Sequence, residues 1–101
     1  MGNAVMLQSS VGNGGANRPD DVRLVQTWLN RWRFLDGRRP LPVNGRCGAA
    51  TLAAIRKFEG EALGRKYPGD RLTPDGAAVR LLKSMPAWFD PEPQNEAAVE
   101  H

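Results

Sequence analysis

The chain has 101 residues, enough for one small domain with a modest core, so few apolar residues can be spared for tails. Its single cysteine, Cys47, excludes an internal disulfide, and its single histidine, His101, is the last residue, so a zinc site built from His and Cys is excluded. With 14 Lys and Arg against 11 Asp and Glu the net charge is +3, and a Ser-His-Asp or Cys-His catalytic arrangement would have to use a terminal histidine.

The charge is unevenly spread. Every Lys and Arg lies between Arg18 and Lys83, where seven acids leave a net +7, and the remaining four acids, Asp90, Glu92, Glu96 and Glu100, follow Pro86. A basic body favours a polyanionic partner; an arginine-rich surface that serves only solubility is the equally weighted alternative. No stretch approaches the run of about 18 apolar residues that a membrane span requires. The first ten residues lack a basic start and a long apolar run, so no secretory signal is read.

Met1 to Asn17 is rich in Gly, Asn and Ser, and Gly12, Gly14 and Gly15 argue against regular structure in Ser10–Asn17. The segment is either a disordered leader or an arm packed along the domain through Val5, Leu7 and Val11. Pro19 suits a first helical turn, and Asp20 and Asp21 complement the positive end of a helix dipole. Val22, Val25, Leu29 and Trp32 fall on one stripe, widened by Leu24, Trp28 and Leu35, while Arg23, Thr27, Asn30 and Arg31 point elsewhere. The pattern predicts an amphipathic helix over Pro19–Leu35. Trp32 reads as core, and Trp28, nearer the edge, reads equally as core or as a platform for a ligand.

Gly37 can cap that helix, and Pro40 and Pro42 forbid helix in the loop that follows. Asn44-Gly45 is a turn dipeptide. From Ala49 the composition changes to Ala, Leu, Ile and Phe, with Leu52, Ile55, Phe58 and Ala62 at helical spacing. A second helix is expected from Ala49 to Ala62 or Leu63, where Gly64 ends it. Thr73, Pro74 and Asp75 look like an N-cap, a first helical residue and a first-turn acid for a short third helix containing Ala78, Val79, Leu81 and Leu82. The two loop-helix units, Val43–Phe58 and Arg71–Leu82, read as a degenerate repeat. Pro86, Pro91 and Pro93 with scattered acids make a tail or linker, from which Trp88 and Phe89 stand out. The expected division is a glycine-rich arm (1–17), a helical domain (18–85) and an acidic tail (86–101).

The run Val43-Asn-Gly-Arg-Cys-Gly-Ala-Ala-Thr-Leu-Ala-Ala-Ile-Arg-Lys-Phe58 resembles the core of the small three-helix peptidoglycan-binding domain carried by many bacterial cell-wall hydrolases. The family pattern falls on Asn44, Gly45, Gly48, Thr51, Ala54, Ile55, Phe58 and Glu59. Two positions depart from it: Cys47 replaces a usual aromatic and Glu59 a usual Gln. Val22, Val25, Gln26 and Leu29 are similar to the family's opening helix, and Gly69–Pro74 stands in for its second loop with the glycine order changed. The likeness covers about residues 18 to 84. It implies an all-α, three-helix bundle with long loops, and non-catalytic binding of peptidoglycan, without cofactor or metal, that targets an attached or partner hydrolase or secreted effector to the wall. It further implies action at the cell wall or periplasm, reached from the cytoplasm by a route other than a signal peptide, such as a secretion system. The alternative is a module of the same fold that docks a secreted effector onto its carrier. A nucleic-acid partner has only positive charge in its favour.

A helix that starts behind a glycine-rich loop points free N–H groups outward and attracts anions. A stem peptide ends in a carboxylate. The candidate ligand residues are therefore Asn44, Arg46, Gly48 and Thr51 around the start of the second helix, Arg71 in the matching later loop, and Trp28 on the first helix. For Thr51 a local cap or core-facing methyl weighs equally, and for Asn44 and Gly45 a turn that only shapes the backbone is favoured.

Overall fold

The computed structural model describes residues 6–84. In chain order it contains β1 (Val11–Gly12), α1 (Pro19–Leu35), α2 (Ala49–Glu61), β2 (Arg71–Leu72) and α3 (Ala77–Lys83). The domain is mostly helical, as expected, but not purely so. Strands β1 and β2 pair antiparallel, with Val11 opposite Leu72 and Gly12 opposite Arg71. The Gly-rich segment thus holds a strand that the local composition argued against. Two features supply it. Asn17, at φ 51°, folds back so that its Oδ1 accepts from Gly12 N–H at 2.7 Å and its Nδ2 donates to Gly12 O at 2.9 Å. Gly12 itself sits at φ 131°, where a Cβ would lie 2.1 Å from Asp70 O, so only glycine allows the two strands to meet.

Helix α1 spans the expected residues. Pro19 opens it, Asp20 and Asp21 occupy its first turn, and it closes in a Schellman motif, with Arg38 N–H donating to Arg33 O at 2.8 Å and Gly37 N–H to Phe34 O at 3.1 Å. Helix α2 also begins where expected, behind Gly48. Helix α3 starts three residues later than the Thr73-Pro74 signal suggested. Thr73–Gly76 is a turn instead, closed by Gly76 N–H to Thr73 O at 3.0 Å, and Gly76 is the N-cap.

The core gathers Val22, Val25, Trp28 and Leu29 from α1, Ala54, Ile55 and Phe58 from α2, and Ala78, Val79 and Leu82 from α3. Leu7, Val11, Leu41 and Leu72 complete it from the arm, loops and strands. The described part of the arm packs along the domain through Leu7 and Val11; Val5 lies outside the described residues, as do Trp88, Phe89 and the rest of the acidic tail. Leu52, expected in the core, is only half-buried.

Three readings on α1 need correcting, those of Trp32, Leu35 and Asn30, and the open one on Trp28 is decided for the core. Trp28 is the deeply buried tryptophan, at 3 % exposure. Trp32 is only partly buried, edge-on to Phe58 at 5.1 Å between ring centroids and covered by the Arg38 guanidinium at 5.3 Å. Leu35, beyond the reach of the core at the helix end, is half exposed. Asn30, expected to point outward, is buried because it holds a loop: its Nδ2 donates to Leu41 O at 3.0 Å and its Oδ1 accepts from Leu41 N–H at 2.6 Å.

Candidate functional site

Gln26 builds the site. It is buried on α1 beneath the loop that launches α2. Its Oε1 accepts from the N–H groups of Asn44 and Gly45, both at 3.0 Å. Its Nε2 faces three oxygens: Asn44 Oδ1 at 3.1 Å, Arg46 O at 3.0 Å and Thr51 Oγ1 at 3.0 Å. One amide thus shapes the turn, the residue after it and the first turn of α2. The turn also needs Gly45, at φ 78°, packed against the Arg23 guanidinium and Pro19 O. Asn44 closes it from within, its Oδ1 accepting from Arg46 N–H at 2.9 Å.

Above this frame lies an open cavity of about 270 Å³ walled by Gln26, Pro42, Asn44, Arg46 and the stretch from Gly48 to Thr51. No acid lines it. Gly48 offers α2 no side-chain cap, and no acid occupies the helix's first turn. Among the described residues, therefore, no protein anion neutralises the positive end of the helix that the cavity meets. Arg46 is exposed at its wall, and its guanidinium has no partner among the described residues.

Of the six expected site residues the structure brings four to this cavity and leaves two elsewhere. Among the four, only Arg46 is wholly available. The Thr51 hydroxyl is buried and accepts from Gln26, so it belongs to the frame. Gly48 N–H donates to Arg46 O at 3.0 Å, which removes it as a ligand donor. Asn44 offers its Nδ2, its oxygen being held by Gln26 and Arg46 N–H. Arg71 does not line the cavity; it lies on β2 with Nη1 3.5 Å from Gly14 O. Trp28 is excluded as a stacking platform, because its ring is packed into the core.

Sequence reasoning missed the pattern to which Gln26 belongs. Four buried polar residues each hold a neighbouring segment. Asp21 accepts from the Gln8 and Ser9 N–H groups at 2.9 and 3.0 Å and from the Ser9 hydroxyl at 2.8 Å, fixing the arm. Asn30 holds Leu41. Glu59 accepts from Gly69 N–H at 2.9 Å and from Arg65 Nη1 at 3.4 Å, fixing the loop before β2. For the loop that leads into the second loop-helix unit Glu59 thus does what Gln26 does for the first, but a carboxylate only accepts, and Arg65 supplies a countercharge. The available signal was a polar residue beside an apolar stripe followed by a loop rich in Gly and Pro.

Burial pushes the Asp21 carboxyl up, but the donors from Gln8 and Ser9 and the nearby Arg18 outweigh it and hold the group below its ordinary value. Burial pushes the Cys47 thiol up, the Asp70 carboxylate adds to this, and a hydrogen bond from the Gly12 backbone opposes it. Cys47 packs against the core as a small apolar residue would. Among the described residues no group of three His, Cys, Asp or Glu is placed to hold a metal ion, and no helix is long and apolar enough to cross a membrane. Comparison with family models, with curated proteins and with solved structures gives no match in any of the three.

Proposed function

We propose that this chain is a non-catalytic module that binds bacterial peptidoglycan through the carboxylate of a stem peptide, and so directs an attached or partner hydrolase or effector to the wall. The observation that carries the reading is the cavity at the start of α2, which no acid among the described residues lines, with an Arg46 guanidinium on its wall that no described residue pairs. Helix N–H groups and an arginine fork together suit a planar carboxylate. The small walls at Pro42, Gly48, Ala49 and Ala50 suit a residue with a short side chain. The likeness of Val43–Phe58 to the peptidoglycan-binding domain adds the ligand class.

The test is sedimentation with purified sacculi, and titration with a synthetic stem peptide, for the parent protein and for Arg46→Ala and Arg71→Ala. Arg46→Ala should weaken binding by roughly 1–3 kcal/mol, the scale of a charge-assisted hydrogen bond. Arg71→Ala, outside the cavity, should bind as the parent does. Amidating the peptide's terminal carboxylate should weaken binding to the parent and change little for Arg46→Ala. Equal binding of sacculi by parent and Arg46→Ala would remove the site from this cavity.

A further inference from the structure

A second cavity lies on the same face of α2 as the first. It has a volume of about 360 Å³ and is lined by Ala53, Arg56, Lys57, Gly60 and Glu61 of α2 and by Pro68 of the following loop. Ala49 and Ala50 wall the first cavity, and Ala53, Arg56, Lys57 and Gly60 continue one helical stripe from them. From Ala49 to Gly60 that stripe runs ~16 Å along the axis at the α-helical rise. Next to Pro68 stands Tyr67, the most exposed large apolar side chain among the described residues at 83 % exposure, with Lys66 Nζ 5.7 Å from its ring centroid.

The charges of this second cavity are already compensated. Lys57 Nζ pairs with Glu61 Oε2 at 3.2 Å and Arg56 Nη2 with Asp70 Oδ2 at 3.2 Å, and all four side chains remain partly exposed. It therefore lacks the unbalanced positive field of the first cavity, yet it presents donors and acceptors side by side, and the residue that precedes its Pro68 wall in the chain is the exposed Tyr67. That combination suits a neutral, hydroxyl-rich ligand, whose apolar ring face stacks while its hydroxyls bridge an ion pair.

We infer that the outer face of α2 between Ala53 and Pro68, with Tyr67 at its end, is a saccharide subsite that takes the glycan strand while the first cavity holds the stem peptide. The inference rests on the peptidoglycan reading above, since it assigns the other half of the same polymer.

The experiment uses the full chain with three probes: purified sacculi, a peptide-free β-1,4-linked N-acetylglucosamine oligomer, and a synthetic stem peptide. The variants are Tyr67→Ala, at an exposed position, and Ala53→Gln, which places a longer side chain in the second cavity from an exposed helical position. Both should melt with the parent. The parent should bind the oligomer, and each variant should weaken that binding roughly five- to tenfold, the scale of a lost aromatic contact, while stem-peptide affinity stays unchanged. Failure of the parent to bind the oligomer, or unchanged oligomer binding in both variants, overturns the subsite. Tyr67-dependent oligomer binding by a parent that ignores the stem peptide supports the subsite and overturns the stem-peptide reading instead.

Discussion

Gln26 Nε2 lies 3.0 Å from Thr51 Oγ1, and this contact joins the middle of α1 to the first turn of α2 through two buried polar groups. Removing the amide leaves the N–H groups of Asn44 and Gly45 and the Thr51 hydroxyl without this partner, while Arg46 O keeps only the bond from Gly48 N–H. Gln26→Ala is expected to destabilise the domain by about 3 kcal/mol, since each buried group left unpaired costs roughly 1–3 kcal/mol and some will find water. Gln26→Glu keeps the two acceptor bonds and loses the donor, so it should fall between parent and alanine. Urea unfolding of the three proteins orders them, and a Gln26→Ala midpoint equal to the parent's would show that the amide does not organise the loop.

Phe58 is fully buried against Trp32. Phe58→Ala is expected to lose about 3–5 kcal/mol, comparable to the whole stability of a marginal domain. Circular dichroism should show loss of cooperative melting at ordinary temperature. An unshifted melting curve would place Phe58 outside the core.

Two glycines should respond in opposite directions. Gly12→Ala puts a methyl 2.1 Å from Asp70 O, far inside van der Waals contact, at a backbone angle that L-residues avoid, so it should cost at least about 3 kcal/mol and unpair β1 from β2. Gly60→Ala places its methyl 3.4 Å from Pro68 Cγ, ordinary contact, inside a helix where alanine is favoured by about 1 kcal/mol. It should raise the melting temperature. Amide exchange at Asn13, whose N–H donates to Asp70 O at 3.0 Å, reports the strand pair directly. Retained protection of that amide in Gly12→Ala would contradict the first expectation.

The arm should be fastened by a charge. The Asp21 carboxyl is held below its ordinary value of 3.8 in the folded chain. A lowered folded value means that the ionised group contributes stability above about pH 3.8, and that this contribution is lost as pH falls through the folded value. Asp21→Asn should therefore be less stable than the parent at neutral pH, and the difference should shrink as the medium is acidified below 3.8. Chemical denaturation of both proteins from pH 7 to pH 2 follows the difference; a gap that stays constant across this range would assign the contact to shape rather than charge.

Much of this architecture was legible from particular residues. Pro19, Asp20 and Asp21 marked the start of α1, and Asp36-Gly37 its end. Asn44-Gly45 and Gly48 marked the launch of α2. These are local signals, set by backbone angles and helix ends. The short strands were not legible, because two-residue pairing depends on Gly12 meeting Asp70 and Arg71 across nearly the whole domain. Trp28, readable equally as core or platform, is the deeper ring, and Trp32, read as core, is only partly buried, because both lie within the broad apolar face and which ring turns inward depends on where α2 and Arg38 pack. Thr73-Pro74 carried a sound helix-start signal that Asp75-Gly76 turned into a tight turn first. At the site, Arg46 could be found from its place in the loop, whereas the engagement of Thr51 and Gly48 by Gln26 and Arg46 needed three-dimensional contacts.

Asp21, Asn30 and Glu59 bind the segments they fasten chiefly by backbone atoms: the amides of Gln8 and Ser9, both polar groups of Leu41, and the amide of Gly69. Gln26 likewise takes the amides of Asn44 and Gly45 and the carbonyl of Arg46. A fastener that recognises main chain is indifferent to most of what the fastened residue displays. The side chains at Gln8, Arg46 and their exposed neighbours can therefore be exchanged with little disturbance of loop geometry. The scaffold and the surface it displays are separable: the exposed side chains of the loop before α2 can change while the four fasteners and the core beneath them stay as they are.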